Sequence, residues 1–233
     1  MFQELLHPSI EFGIDTFFLI IILVALEAVL SADNAIALAS IAKGLPEAKQ
    51  QRYALNIGLL MAYVLRITLI ITAAWVIQFW QFELLGGLYL LWLTFRYFFG
   101  HPAGGAEGEE TSSLDFKHLW QAVPIIAFTD LAFSLDSVTT AIAVADEIWL
   151  IIAGGTIGVI ALRFLAGLFI RWIQEFTHLE DAGFITVGLV GFRLILKVAY
   201  PLLVPPEWLM ITIITIIFIW GFSEKRVIET PDK

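Results

Sequence analysis

Glu27-Ala28-Val29-Leu30-Ser31-Ala32-Asp33-Asn34 recurs 103 positions later as Asp130-Leu131-Ala132-Phe133-Ser134-Leu135-Asp136-Ser137. Each copy sets two carboxylates six residues apart, with a serine between them, inside a long apolar run. An ionised side chain at the centre of a membrane helix costs about 2.5–3.5 kcal/mol on insertion scales. Four such groups together cost on the order of 10 kcal/mol unless a proton, a counter-charge or a bound cation compensates. A chain that carries this cost twice, in matching places, is built to handle a cation.

The surrounding composition puts the motifs in a bilayer. Of 233 residues, 59% are hydrophobic and only 15% charged, far too little polar surface for a soluble domain of this length. The chain reads as an all-α, polytopic membrane bundle. Without cysteine it has no disulfides, no thiolate ligands and no thiol catalysis, so oxygen donors and four histidines are the available metal ligands. His7, His101, His118 and His178 fall at or beyond the ends of apolar segments, which argues against a zinc-type cluster. The net charge of −9 argues against nucleic acid as a partner and against polybasic attachment to anionic lipid. Met1 to Asp15 holds Glu4, Glu11 and Asp15 but no Lys or Arg, so the first apolar run is expected to stay as a transmembrane helix, not to be removed as a signal.

Apolar runs predict seven spans at about 16–42, 53–80, 84–100, 119–145, 148–170, 182–204 and 208–222. Lys43, Lys49, Arg52, Lys117, Arg171, Lys225, Arg226 and Lys233 gather on one side of that scheme, and Lys197 lies near the other edge. The bias sets the N-terminus outside and the C-terminus in the cytoplasm.

The duplication extends beyond the acidic motifs. Gly58, Arg66, Glu83, Gly86, Phe95 and Arg96 match Gly155, Arg163, Glu180, Gly183, Phe192 and Arg193 at a constant offset of 97. Three spans per copy is an odd number, so the second copy enters the membrane upside down. The predicted architecture is one integral membrane domain over residues 1–233. It comprises two inverted three-helix repeats (about 16–100 and 119–204), an acidic linker at 101–117 with Glu107, Glu109 and Glu110, and an extra C-terminal helix at about 208–222. Inverted repeats of this kind place a transported substrate near the midplane between the copies.

On an ideal helix Glu27, Ser31 and Asn34 share a face, as do Asp130, Ser134 and Ser137, while Asp33 and Asp136 point about 120° away. Two arrangements would gather the four acids: a local break of the helix near Ser-x-Asp, which frees carbonyls as ligands, or a crossing of the two motif helices. The favoured expectation is the break, because Ser, Asp and Asn hydrogen-bond to nearby backbone. Carboxylate, amide and hydroxyl oxygens suit a hard divalent cation. The candidate metal set is Glu27, Asp33, Asn34, Asp130, Asp136 and Ser137, supported by Ser31, Ser134, Arg66 and Arg163. Arg66 and Arg163 read as salt bridges from the second span of each repeat to the acidic helix. Arg96 and Arg193 read as edge residues that snorkel or link neighbours. Glu83 and Glu180-Asp181 read as acids at helix starts, and Gly86-Gly87 and Gly154-Gly155 as close-packing points.

At these residues the chain resembles the TerC family of integral membrane proteins, named for tellurium resistance. The marks are Ser-x-Asp-Asn-Ala at Ser31 to Ala35 and Asp-x-x-Phe-Ser-x-Asp-Ser at Asp130 to Ser137, and the likeness covers about 16–222. The resemblance implies a secondary transporter in the bacterial inner (cell) membrane that exports divalent metal, Mn²⁺ first, with Glu27, Asp33, Asn34, Asp130 and Asp136 at the transport site. Mn²⁺ is then cargo, and no prosthetic group is expected. The Glu-x-Gly-Asp-Lys/Arg-Ser/Thr motif of the Golgi-type divalent-cation transporters is absent, which weighs against Ca²⁺/H⁺ exchange of that sort.

Other functions compete. An oxyanion could pass by Arg66 and Arg163, but four intramembrane carboxylates would repel it. An intramembrane aspartyl hydrolase could use Asp33 and Asp136, but the expected Gly-x-Gly-Asp is missing, and the chain is expected not to be an enzyme. A purely structural partner subunit is the fourth reading. Expected partners are a divalent metal ion and the lipid bilayer; oligomeric state stays open.

Overall fold

The computed structural model describes residues 34–76, 78–100, 116–144 and 147–226, together with Ile21. Glu27, Ser31 and Asp33, and the linker acids Glu107, Glu109 and Glu110, lie outside the described residues. The described part is helical, with one isolated β-bridge between Phe176 and Lys225. We number the helices α1 (the described part, residues 34–43), α2 (Ala48–Val76), α3 (Trp80–Phe99), α4 (Leu119–Val144), α5 (Ile148–Glu175), α6 (Leu179–Ala199) and α7 (Glu207–Gly221), with a short 3₁₀ turn at Pro201–Leu203.

Proline placement explains many of these limits. Pro46 precedes α2, and Pro205-Pro206 leads into α7, where Pro206 occupies the capping position. Pro201 stops α6 at Ala199, short of the predicted 204, because a residue before proline is driven out of the helical region. Pro124 alone lies within a described helix, in the second turn of α4. At membrane depth neighbouring helices can re-satisfy the backbone group it removes. The second span starts five residues earlier than its apolar run, and the fifth runs five residues further, to Glu175. Polar helical turns extend both beyond the hydrocarbon.

Among the described residues α2, α4, α5 and α6 are long and apolar enough to cross a membrane. The predicted third span is a 20-residue helix, α3, whose Trp, Tyr, Gly, Glu83 and Arg96 make it less apolar than those four. The last, α7, has 15 residues. Around the bundle, α5 packs on α2, α2 on α4, α4 on α3, α3 on α6 and α6 on α7. The described part of α1 fills the middle: residues 34–42 are all buried. Its run Ala35-Ile36-Ala37-Leu38-Ala39 lets neighbours close in, since small residues favour tight helix packing in lipid.

Two glycine contacts set the spacing. A Cβ on Gly183 of α6 would stand 2.2 Å from Ile36 Cγ2, so α6 rides against α1 there. A Cβ on Gly87 of α3 would come within 2.8 Å of the Gly191 carbonyl oxygen, and one on Gly191 within 3.0 Å of the Gly87 oxygen. The α3–α6 crossing is therefore a backbone-to-backbone contact. Gly86 fits the close-packing expectation, facing Leu135 of α4 at 2.8 Å, whereas Gly155 meets only ordinary contacts near 3.7 Å.

Polar links gather helix ends. Lys43, at the end of α1, pairs with Glu180 in the first turn of α6 at 2.6 Å. Phe116 N–H donates to the Gly44 carbonyl at 2.9 Å, tying the approach to α4 to the same end. Tyr97 OH donates to Asp181 Oδ1 at 2.7 Å. The acids of the α6 first turn thus hold neighbouring helices as well as meeting a helix dipole.

Candidate functional site

α4 is one uninterrupted helix through Asp130, Ser134, Asp136 and Ser137. The expected break at Ser-x-Asp does not occur in this copy. The hydroxyls that could have loosened the helix bond back into it instead. Ser134 Oγ donates to the Asp130 carbonyl at 2.7 Å, Thr139 Oγ1 to Leu135 at 2.6 Å, and Thr140 Oγ1 to Asp136 at 3.0 Å. Ser137 Oγ makes a longer bond to the Ser134 carbonyl at 3.4 Å. Each hydroxyl uses its proton on the backbone and keeps lone pairs as acceptors.

An unbroken helix keeps the two acids on different faces, as the 3.6-residue period requires. Asp130 turns to α2 and is fully buried, with Arg66 Nη2 3.3 Å from both of its carboxylate oxygens. Arg66 is itself 1% exposed and is the largest fully buried side chain among the described residues. A salt bridge from the second span to an acidic helix is present, but it crosses from the first copy to the acid of the second.

Asp136 turns to α6. Arg193 Nη1 bonds to its Oδ2, and Lys197 Nζ lies 3.5 Å from its Oδ1. Lys197 reaches Glu83 of α3 at 2.8 Å, and Arg193 Nη2 stands 4.0 Å from Glu207 of α7. Glu83, Lys197, Asp136, Arg193 and Glu207 form a chain of alternating charge across four helices. Sequence reasoning placed Arg193 and Lys197 at membrane edges and missed them as the partners of Asp136. The signal was there in part: they sit four residues apart, on one face of α6.

Arg163 departs from expectation. Among the described residues its acceptor is Asn56 Oδ1 on α2, reached through Nε, and no carboxylate of an acidic helix. It lines a lateral cleft between α2 and α5. The reason is packing: α5 lies beside α2, and its face at this depth meets α2 side chains.

Asn34 opens the described part of α1 and is 5% exposed. It stands nine residues from Lys43, and Asp130 eleven residues from the start of α4, at the same end of the bundle. At 1.5 Å per residue these are about 14 and 17 Å, a common level near the middle of α4. Asp136 lies about 9 Å beyond Asp130 along α4. Among the described residues no group of three or more His, Asp and Glu side chains gathers in a way that could hold a metal ion. Completing one would require oxygens of the other motif or a different arrangement of the Asp136 pairs.

Comparison with known proteins agrees with the membrane reading. The profile of the integral membrane protein TerC family matches residues 12–227. The membrane protein YceF of Bacillus subtilis is 36% identical over 198 residues, 83% of this chain and 75% of that protein. YkoY of the same organism is 32% identical over 205 residues, 80% of this chain but 61% of its own length. The inner membrane protein YgdQ of Escherichia coli K12 is 32% identical over 190 residues, 75% of this chain and 78% of that protein. No solved structure matches the chain.

Proposed function

The chain belongs to the TerC family of integral membrane proteins, and from that premise we propose that it is a secondary transporter, not an enzyme, that exports divalent cations, Mn²⁺ first. The carrying observation is α4 itself: two carboxylates on one continuous, buried helix, each opposite a cationic side chain from another helix. Such groups at membrane depth mark ion pathways. The proposed ligands are Glu27, Asp33, Asn34, Asp130, Asp136 and Ser137, oxygen donors suited to a hard cation. Ser31, Ser134 and Arg66 support them.

The two acids divide the work. Asp130, buried with Arg66 beside it, is the fixed anion of the pathway. Asp136 is the exchangeable one, because its two cationic partners already have carboxylates to fall back on. When a divalent cation enters, Lys197 moves fully to Glu83 and Arg193 towards Glu207. That movement compensates the incoming charge without leaving a cation unpaired in the membrane. Metal ligation requires ionised oxygens, so any proton held at the site leaves as the cation enters, and the proposed cycle is a metal–proton exchange.

An inverted repeat is the proposed architecture. What supports it is the set of matched glycines: Gly86 brings α3 against α4, and Gly183 brings α6 against α1. The proposed setting is the bacterial inner membrane, with the N-terminus outside and the C-terminus inside as the Lys/Arg bias requires. A tag at residue 2 should then be reached only from outside, and one after Lys233 only from inside. The decisive experiment is ⁵⁴Mn flux into proteoliposomes under an imposed pH gradient. Flux that follows the proton gradient is expected; the absence of flux under any gradient removes the transport reading.

A further inference from the structure

The cleft between α2 and α5 combines two features that the cation pathway does not use. Its upper part, walled by Leu59, Leu60, Ile160 and Phe164, opens sideways to where hydrocarbon would lie. Its lower part shares Arg163 and Phe164 with the upper one and adds Arg52, Arg171, Gln51 and Gln174. Three arginines and two amides line this lower part with no carboxylate among them. Three clustered positive charges stand out in a chain of net charge −9.

Elsewhere in the bundle, arginines at depth are paired: Arg66 with Asp130 and Arg193 with Asp136. Among the described residues Arg52, Arg163 and Arg171 have no carboxylate within ion-pair distance. Arg163 spends Nε on Asn56. Its Nη1 lies 3.2 Å from the position a Cβ on Gly167 would take, so the guanidinium lies over the next turn of α5, where Gly167 lines the lower part of the cleft. Among the described residues no hydrogen bond engages the Arg163 Nη groups, so the guanidinium that lines the cleft keeps donors for a ligand. A guanidinium fork matches phosphate oxygens bidentately, and an arginine at this depth requires an acceptor. Gly167 contributes no side chain and leaves the floor of the cleft open beneath it.

We propose that this cleft binds one anionic phospholipid from the cytoplasmic leaflet, with the phosphate held among Arg52, Arg163 and Arg171 and an acyl chain laid along the apolar wall above. Basic pockets between membrane helices on the cytoplasmic side take such headgroups. A second copy of the chain is a poorer occupant. A twofold contact brings a patch against itself, which would oppose arginines to arginines. The site is local, so it is compatible with the absence of any polybasic segment.

Native mass spectrometry of the purified full chain in mild detergent, with phosphatidylglycerol or phosphatidylcholine at equal concentration, tests this directly. One phosphatidylglycerol per chain should be retained in preference to phosphatidylcholine. Arg163→Gln with Arg171→Gln should weaken that retention about tenfold or more, the loss expected for a charge-assisted pair of bonds. Gly167→Leu keeps every charge but fills the floor, and should lower retention as well; it serves if the double variant fails to fold. Lys49→Gln with Lys117→Gln removes two inner-side charges outside the cleft and should leave retention unchanged. An equal loss there would reduce the effect to diffuse charge and overturn the site. Displacement of the lipid by inorganic phosphate at equal concentration would make it a free-anion site, and a dimer whose cleft excludes lipid would make it an interface; either result overturns the proposal. None of these readouts depends on cation flux.

Discussion

Arg66 and Arg163 occupy matching places 97 residues apart, each eight residues after a matching glycine, yet they do different things. Arg66 is sealed in the bundle against Asp130. Arg163 leans over Gly167 at the rim of a cleft, with Asn56 as its acceptor. A residue type at a given point on a helix fixes the direction of a charge but not what it meets. α2 has α4 on one side and α5 on the other, so its arginine finds an acid in the core, while the arginine of α5 finds an amide and open space. One pair is internal structure; the other is a surface that the surroundings must complete.

The largest effect should come from breaking the buried pair. Arg66→Leu leaves the fully buried Asp130 carboxylate without its counter-charge, which costs about 3–5 kcal/mol for pairs of this kind. Thermal unfolding of the purified protein should show a large drop, or the protein should fail to accumulate. A variant as stable as the parent would mean that the pair contributes little. Asp136→Asn comes next and should separate function from folding. Its partners keep Glu83 and Glu207, so the protein should insert and unfold near the parent temperature while Mn²⁺ flux falls to background; normal flux removes Asp136 from the pathway.

Gly87→Val tests the α3–α6 contact, which neither arginine touches. The new side chain meets the Gly191 carbonyl, backbone that cannot swing aside, so a loss of about 1–3 kcal/mol is expected. An unchanged unfolding temperature would show that the α3–α6 contact is looser than drawn. Of the three variants expected to lose stability, Arg163→Gln should lose least. It gives up one hydrogen bond to Asn56, about 0.5–1.5 kcal/mol, and the contrast with Arg66→Leu measures how differently the two arginines are used. Equal losses at both positions would erase the distinction.

Much of this was legible in the residues. The apolar runs and prolines located α2 to α7 to within about five residues, because hydrocarbon leaves the backbone no partner but itself. The different faces of Asp130 and Asp136 follow from helical period alone. That Arg66 would meet a carboxylate was foreseeable because a buried charge must have a partner; that the carboxylate would be Asp130 of the other copy was not. The continuity of α4 was not, since Ser134, Thr139 and Thr140 carry hydroxyls that can either open a helix or bond back into it. Nor could spacing reveal that Lys197 and Arg193 would close on Asp136, a contact between helices 57 and 61 residues apart in the chain.

Sequence by itself determined that this chain is a helical membrane protein with paired acids at membrane depth, and which residue types surround them. Those properties depend on composition and local period, which solvent and backbone geometry enforce residue by residue. Tertiary structure alone decided which cation each acid meets, that α3 and α6 cross backbone to backbone at Gly87 and Gly191, and that Arg163 faces a cleft. Partner choice depends on which helix lies alongside, and that is settled by the packing of the whole bundle.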